Sequence, residues 1–446
     1  MKTLYQNPKG FSTAPFHATS KPMFFASTQA VPLWASMPFA LLLTLIAIMP
    51  FLNKHFWERR YPHVSALLGL LVVVGYIFIL HATERLAHTA LEYFSFMAIM
   101  AALFTVSGGI HIRVKGESTP LKNVLFLGVG AVLANLIGTT GASMLLIRPW
   151  IRMNKYRITE FHTVFFIFIV SNAGGCLTPI GDPPLFLGYL KGIPFFWTLQ
   201  HLWPAWLMAN ALLLAIFYIL DKKNQSRIPS NIVEKESAYE TFHISGKRNI
   251  IFLAVILAAV FMPTPLREIL MLAAAAASYF TTPKQIHESN HFDFHPVKEV
   301  GWLFAGIFAT MMPALDYLQT NAGSLGINSP LAYYWFSGVL SSFLDNAPTY
   351  LTFLTVSASQ HSIPLEQLAP SAGIYLGVAG RELAAISLGA VFFGAMTYIG
   401  NGPNFMVKSI AEQQSVGVPS FFGYIFRFSI PFLLPILALA GWLFLH

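Results

Sequence analysis

Two short segments combine side-chain amides and hydroxyls with glycine and proline, and one of them also contains a carboxylate. Segment 172–184 reads NAGGCLTPIGDPP and contains Asp182, and segment 397–404 reads TYIGNGPN. A third segment, 345–348, reads DNAP and begins with Asp345. A carboxylate in apolar surroundings is costly unless it carries a proton or pairs with a cation. These residue types therefore indicate a site for an ion or a small polar substrate.

The rest of the sequence is typical of a membrane protein. Of the 446 residues, 55% are hydrophobic and 10% are charged, whereas soluble domains carry about 25% charged residues. Apolar runs such as 64–82 and 202–220 are long enough to cross a hydrocarbon core of about 30 Å. The fold class that we predict is an all-α polytopic membrane protein embedded in a lipid bilayer.

Charge and cysteine content exclude other classes. The net charge is +8, but the basic residues lie in short segments between apolar runs, a topology signal rather than a nucleic-acid-binding patch. The single cysteine, Cys176, excludes a disulfide framework. We predict no signal peptide in the first 30 residues. Because no ATP-binding motif appears, an ion gradient is the expected energy source, without a cofactor or a resident metal.

Ten spans and two re-entrant hairpins are predicted. The spans are 31–52, 64–82, 90–110, 159–190, 202–220, 248–262, 267–282, 299–316, 383–408 and 422–445. The apolar stretches 121–147 and 331–358 are each broken near the middle, at 138–141 and 345–348. Lys and Arg flank 121–147 on both sides and are missing around 331–358. Because Lys and Arg concentrate on the cytoplasmic side, the first hairpin is expected to enter from the cytoplasm and the second from outside.

An internal repeat supports this topology. A shift of 219 residues aligns 178–186 with 397–405, with five of nine positions identical. A shift of 207 residues places 138–141 on 345–348. Each half then has an odd number of crossings, so the two halves are expected to have opposite orientations, as in many secondary transporters.

The repeat also predicts the domain organisation and the location. We expect an N-terminal arm at 1–30, a first inverted repeat at 31–220, a cytoplasmic linker at 221–247 and a second repeat at 248–446. In the first repeat the hairpin is 121–147 and the broken helix is 159–190; in the second they are 331–358 and 383–408. The predicted location is a bacterial inner membrane with both termini outside.

The breaks in the helices predict where the site lies. Proline lacks an N–H donor and clashes with the preceding turn, so a helix cannot run through these segments, and unwound backbone at membrane depth lines a cavity or is buried in protein. The residues predicted to break the backbone are Gly174, Gly175, Gly181, Pro183, Pro184, Gly400, Gly402 and Pro403. A helix that ends there suits a cation, and one that begins there suits an anion.

Polar residues at the breaks and hairpin turns are the candidate ligands. They are Asp345, Asn346, Asp182, Asn401, Thr178, Thr397, Asn172, Thr139, Thr140 and Asn404. Asp345, beside an asparagine at a hairpin turn, is the expected carrier of an exchanging ion. For Asp182 an alternative is equally open, namely that it caps the helix that restarts at Pro183.

Segments 171–196 and 397–408 resemble the ion transporter superfamily, which includes sodium/proton antiporters, arsenite permeases and dicarboxylate transporters. They are most similar to the branch labelled citrate transport or sodium:proton antiporter. The resemblance implies a scaffold part, a transport part that moves across the membrane like an elevator, and a homodimer. The hairpin turns, GTTG at 138–141 and DNAP at 345–348, differ from the Ser-Asn-Thr turns of the dicarboxylate branch.

Several functions are compatible with this sequence. The leading hypothesis is a secondary transporter that exchanges Na⁺ for H⁺. The alternative is transport of citrate, a dicarboxylate or another small anion coupled to Na⁺ or H⁺. An intramembrane aspartyl protease that uses Asp182 and Asp345 is chemically conceivable, as is a sensor without transport, but no enzymatic activity is predicted.

Overall fold

The computed structural model describes residues 31–113, 118–227, 243–290 and 292–445. The predicted N-terminal arm, 1–30, and residues 228–242 of the predicted linker lie outside the described residues. The α-helices are α1 (Met37–Leu52), α2 (Lys54–Phe78), α3 (Thr83–Gly108), α4 (Pro120–Met153), α5 (Glu160–Ile169), α6 (Pro183–Leu190), α7 (Trp197–Gln225), α8 (Asn249–Ala259), α9 (Leu266–Thr281), α10 (Lys284–Ser289), α11 (His295–Asn321), α12 (Pro330–Ser341), α13 (Asn346–Gln360), α14 (Ala372–Phe393), α15 (Gly402–Gln413), α16 (Phe421–Tyr424) and α17 (Leu434–Leu445).

Shorter elements complete the described chain. A π-helix, Ile425–Leu433, joins α16 to α17, and 3₁₀ turns at Ala173–Gly175 and Gly394–Met396 follow α5 and α14. Two short strands, β1 (His111–Arg113) and β2 (His243–Ser245), form an antiparallel pair in which Ile112 lies opposite Ile244. The sequence did not predict these strands, which lie in the stretches expected to be cytoplasmic.

The helices are long and apolar enough for a polytopic membrane protein, which confirms the predicted class. Seven helices of the described residues qualify as spans by length and composition: Arg59–Phe78, Thr83–Gly108, Pro120–Met153, Trp197–Gln225, His295–Asn321, Ala372–Met396 and Phe421–Leu445. Two of the remaining predicted spans appear as the shorter apolar helices Leu33–Ile46 and Asn249–Ala259. The predicted span 159–190 is split by its own break into α5 and α6.

Helix α4 folds back on itself at Gly138, whose φ of +76° and ψ of 154° are not helical. Asn123 and Asn154 exchange two hydrogen bonds, at 2.8 and 3.2 Å, although 31 residues separate them. In a straight helix the same two residues would lie about 46 Å apart. The two arms of α4, 120–137 and 139–153, therefore lie side by side. It stays a prediction that both ends of α4 reach the same face of the membrane.

Helices α12 and α13 form a second pair of antiparallel arms. Tyr333, near the start of α12, donates a hydrogen bond of 2.7 Å from its hydroxyl to Oε1 of Gln360, the last residue of α13. At the other end, Ser341 Oγ donates to Asn346 Oδ1 over 2.7 Å. The turn between α12 and α13 thus lies at one end of the pair, and the start of α12 and the end of α13 lie together at the other end, as the two ends of α4 do.

The helices pack as two groups. The peripheral group consists of α1, α2, α3, α8, α9 and α11, and the hairpin group consists of α4–α7 and α12–α17. The groups meet where α3 packs on α4 and α6 and where α11 packs on α13. Both interrupted helices and both hairpins belong to the hairpin group, so any site that they form lies within that group and faces α3 and α11.

The second interrupted helix begins earlier than predicted. Helix α14 starts at Ala372 rather than at 383 and ends at Phe393. Inside it, Glu382 accepts a short hydrogen bond from Ser357 and contacts Nε2 of His361 over 3.1 Å. Because this polar cluster sits inside an otherwise apolar helix, hydropathy did not predict its first turns.

Candidate functional site

The carboxylate of Asp182 lies where all four interruptions of the hairpin group meet. Its side chain is fully buried, with 0% exposure. Oδ1 accepts a hydrogen bond from Thr139 Oγ1 at 2.8 Å and one from Asn401 Nδ2 at 3.3 Å. Oδ2 accepts from Asn346 Nδ2 at 2.9 Å. The first break therefore contacts both hairpin turns and the second break through one side chain.

All the hydrogen-bond partners of Asp182 are neutral. In the described part of the chain, no Lys, Arg or His forms a hydrogen bond or an ion pair with its carboxylate. Burying a charged group without a counter-charge costs several kcal/mol, on the order of 2.5–3.5 kcal/mol for an acid at mid-membrane depth. Three donors partly offset this cost, since hydrogen bonds to a carboxylate favour its charged form. The carboxylate of Asp182 can therefore be neutralised by one positive charge from outside the chain, either a proton or a small cation.

Four helices begin at this carboxylate. The second arm of α4 begins at Thr139, α6 at Pro183, α13 at Asn346 and α15 at Gly402. The N-terminal end of a helix carries a partial positive charge and free N–H groups. The arrangement therefore directs the positive ends of four helices toward Asp182, without a basic side chain among its described partners.

The carbonyl groups at the ends of the interrupted helices are hydrogen-bonded to side chains. Gly174 O accepts from Asn135 Nδ2 at 2.6 Å and from Trp206 Nε1 at 2.8 Å. Gly394 O accepts from Asn404 Nδ2 at 2.8 Å, and Ala395 O accepts from the Tyr424 hydroxyl at 2.8 Å. These carbonyls are thus already satisfied within the protein. The helix starts contribute mainly the positive ends of their dipoles, because Pro183 and Pro184 have no N–H and the N–H groups of Thr139 and Ala347 already donate to Gly181 O and to Asp345 Oδ1.

Two threonines at matched positions bind the breaks to the hairpin arms. Thr178 Oγ1 donates to Asn135 O at 2.6 Å and accepts from Gly181 N at 3.0 Å. Thr397 Oγ1 donates to Ser342 O at 2.5 Å and accepts from Gly400 N at 3.1 Å. The 219-residue repeat thus has the same hydrogen-bond pattern in both halves. Both hydroxyls are occupied by backbone groups here, and their predicted role as ligands stays a prediction.

Asparagines join the two breaks to each other. Asn172 Nδ2 donates to Asn404 Oδ1 at 2.7 Å, and Asn401 Nδ2 donates to Asn172 Oδ1 at 3.1 Å. Asn404 Nδ2 also donates to Thr397 O at 2.9 Å. Of these three predicted ligands, Asn401 is the one that also contacts the carboxylate of Asp182.

Asp345 has a different local role from Asp182. Its Oδ1 accepts from the backbone N–H of Ala347 at 3.1 Å, so it caps the start of α13. Asp182 occupies the corresponding position before α6, but its side chain makes no capping bond. The capping role that the sequence left open for Asp182 is thus the role that Asp345 has in the structure.

Close backbone contacts explain the glycines of the breaks. A Cβ on Gly181 would lie 2.0 Å from Gly175 O, and a Cβ on Gly400 would lie 2.6 Å from Gly394 O. A Cβ on Gly402 would meet no described atom within 4 Å. As predicted, prolines stand in the first turns of the restarting helices α6 and α15. Each break is therefore a compact loop whose shape depends on one glycine pair.

Two adjoining cavities run beside the first hairpin turn. The first is lined by the turn residues 138–141 and by Phe96, Phe104 and Phe186, among others. The second shares Phe104 and Thr140 with it and extends to Pro296 and Val300 near the start of α11. Neither lining contains a charged side chain. The predicted ligand Thr140 lines both cavities. The two cavities lie along a line from the hairpin turn toward the His295 end of α11, and we call this line the path.

Sequence reasoning missed Asn135 and a buried ionic cluster at the base of the first hairpin. Asp221 Oδ2 accepts from Arg157 Nη2 and from Asn123 Nδ2, each at 2.8 Å, and Asp221 Oδ1 lies 3.1 Å from His162 Nε2. These side chains are fully or almost fully buried. An amide or a charge inside an otherwise apolar stretch was the available signal for each of them. The cluster links the first arm of α4, through Asn123, and the start of α5, through His162, to the end of α7.

Comparison with known proteins adds a family. The chain matches a family described as "Putative citrate transport" over residues 28–445. No curated protein matches the chain.

Proposed function

The chain belongs to the family described as "Putative citrate transport", and on this premise we propose that it is a secondary transporter that moves a citrate-type carboxylate anion together with a cation, H⁺ or Na⁺. The observation that carries the proposal is the buried carboxylate of Asp182, whose partners in the described chain are all neutral. This carboxylate is the proposed site of the coupling cation.

The electrostatics of the site support coupling to a cation. Burial of an unpaired carboxylate is unfavourable in free energy, and binding of a proton or Na⁺ removes most of this unfavourable contribution. Thr139, Asn346 and Asn401 hold the carboxylate from three different interruptions of the helices. Binding of a cation to Asp182 thus changes the interactions of all of these segments at once. A ligand shifts a conformational equilibrium only by such differential interactions.

The starts of the helices support an anionic cargo. The second arm of α4, α6, α13 and α15 direct their positive ends at one region, and the positive end of a helix dipole favours a nearby anion. The adjoining cavity offers the hydroxyls of Thr139 and Thr140 beside this region. Cation and anion would then bind next to each other, each reducing the electrostatic cost of the other.

The motion that we propose is a movement of the hairpin group against the peripheral group, as in an elevator. The hairpin group contains the whole site and meets the other group through α3 and α11. An ion pair between Lys191, after α6, and Glu92, on α3, crosses this boundary and would break during the movement. The proposal includes the assembly of two chains into a dimer, as the resemblance implies.

The test uses purified protein in liposomes. Uptake of radiolabelled citrate is measured with an imposed pH gradient, an imposed Na⁺ gradient or neither. We expect uptake driven by one of the two gradients and abolished by Asp182→Asn, with Asp345→Asn as the control, because asparagine still caps a helix. Gradient-independent uptake, or full activity of Asp182→Asn, would refute the proposal.

A second candidate is the exchange of Na⁺ for H⁺. The specific observation in its favour is that no basic side chain lines either cavity, as a site for a cation alone requires. The same liposomes distinguish the candidates. A pH change inside on addition of Na⁺ without citrate supports exchange, and a pH change or current that requires citrate supports anion transport.

A further inference from the structure

Arg148, on the second arm of α4, is a half-buried arginine that forms no ion pair with a carboxylate of the described residues. Its Nε is buried and has no hydrogen-bond partner in the described part of the chain. The buried arginines of the described residues each pair with an acid: Arg85 with Asp316, Arg157 with Asp221 and Arg267 with Glu268. The exposed Asp293 acts on Arg148 electrostatically without forming an ion pair with it. A partly desolvated guanidinium without a hydrogen-bonded anionic partner is costly, and an anion from outside the chain would offset this cost.

Arg148 lies near one end of the path described above. Thr140, which lines both cavities, precedes it by eight residues on the same helical arm. Residues four and eight apart lie on neighbouring parts of one helix face, and eight residues span about 12 Å. The acid that acts on Arg148 electrostatically is the exposed Asp293, three residues before the cavity residue Pro296. Arg148 thus lies toward the α11 end of the path, away from Asp182.

The guanidinium group suits one class of ligand. Its planar fork of N–H donors binds both oxygens of a carboxylate at once. No charged side chain lines either cavity of the path. Arg148 does not line the cavities either, so it would act on an anion at the end of the path rather than along it.

We propose that Arg148 receives a carboxylate group of the transported anion at the α11 end of the path, before the anion reaches the helix starts around Asp182. This inference rests on the proposed anion transport and adds a specificity-determining residue to it. The chemistry recognised is a carboxylate; a lipid phosphate group offers similar oxygens, and the experiment separates the two sources.

The experiment measures equilibrium binding and initial uptake rates of radiolabelled citrate for the full-length protein. The variants are Arg148→Gln, Arg148→Lys and the matched control Arg152→Gln, which removes an exposed arginine one turn further along the same arm. We expect Arg148→Gln to raise the Kd and the KM for citrate by about 10- to 100-fold, the effect of losing a charge-assisted hydrogen bond. Arg148→Lys should be intermediate, because an ammonium keeps the charge without the fork, and Arg152→Gln should bind like the wild type.

The outcomes separate this inference from the proposed function. Unchanged citrate binding by Arg148→Gln, or equal losses in Arg148→Gln and Arg152→Gln, overturns the role of Arg148 while citrate uptake by the wild type still supports the proposed function. Loss of activity only in liposomes with anionic lipid assigns Arg148 to lipid phosphate and also overturns the inference. A wild-type protein that neither binds nor moves citrate or a related carboxylate overturns both. If Arg148→Gln is too unstable to purify, the Arg148→Lys result decides alone.

Discussion

Asn346 donates a hydrogen bond of 2.9 Å to the carboxylate of Asp182, although 164 residues of chain separate the two. Asn346 opens the second arm of the second hairpin, and Asp182 lies in the break of the first interrupted helix. The other oxygen of Asp182 accepts from Thr139, at the turn of the first hairpin. The site is therefore shared between the two halves of the chain, and neither half contains it alone.

Replacing Asp182 by asparagine should abolish gradient-driven transport and leave the fold intact. The amide keeps the shape, but it neither releases a proton nor neutralises a cation. A buried amide costs less to desolvate than an unpaired buried carboxylate, but its NH₂ group faces a donor on one side. These two effects oppose each other, so the thermal unfolding midpoint should change little. Initial uptake rates and a melting curve of the purified variant check both statements.

The matching control is Asp345→Asn, which keeps the cap of α13. Transport by this variant should resemble that of the wild type. If Asp345→Asn loses transport while Asp182→Asn keeps it, the coupling ion binds at Asp345, as the sequence alone had suggested.

A side chain at Gly400 should disrupt the second break. A Cβ there would lie 2.6 Å from Gly394 O and 2.8 Å from Ser341 O, both of them backbone atoms that cannot move aside cheaply. Gly400→Ala should therefore lose most of its transport and melt at a lower temperature. Gly402→Ala, two residues away, has no described neighbour within 4 Å of the new Cβ and should behave like the wild type. Equal behaviour of the two variants would contradict the close packing of the break.

Breaking the buried cluster at the base of the first hairpin should be strongly destabilising. In Asp221→Asn the buried guanidinium of Arg157 loses its partner, which typically costs about 3–5 kcal/mol of unfolding free energy. Glu160→Gln removes a more exposed ion pair with Arg427, and such pairs contribute about 0–1 kcal/mol. Denaturation in detergent, followed by circular dichroism, compares the two variants. A similar loss in both would show that the buried pair contributes no more than an exposed one.

Single cysteines test the arrangement of the chain relative to the membrane. The native Cys176 is fully buried and should not react with an impermeant maleimide. Lys155→Cys, at an exposed position after the first hairpin, should react only from the cytoplasmic side, and Leu325→Cys, exposed before the second hairpin, only from outside. Labelling of both positions from the same side would contradict the predicted entry of the hairpins from opposite faces.

Much of this protein was predictable because the relevant signals are local. Hydropathy predicted an all-α membrane protein, and Gly and Pro predicted the breaks, since a proline or a crowded glycine acts on the backbone of its own turn. The repeat also related Thr178 to Thr397, which make the same pair of hydrogen bonds in the two halves. The family match over residues 28–445 agrees with a transporter, and it favours the alternative of citrate-type anion transport over the leading hypothesis of Na⁺/H⁺ exchange.

The roles of the two aspartates were decided by the tertiary structure. In sequence, both Asp182 and Asp345 precede a helix start, and the sequence favoured Asp345 as the ion carrier. In the structure, Asp345 bonds to a backbone N–H two residues away, whereas Asp182 receives donors that lie 43, 164 and 219 residues away. Such partners depend on how two hairpins and two breaks pack against one another, and no local pattern of residues specifies that packing. For the same reason, the sequence does not distinguish Asp182 from Thr178 and Thr397 as a ligand. In the packed structure, backbone groups bond to the hydroxyls of both threonines, whereas the carboxylate of Asp182 takes the central position.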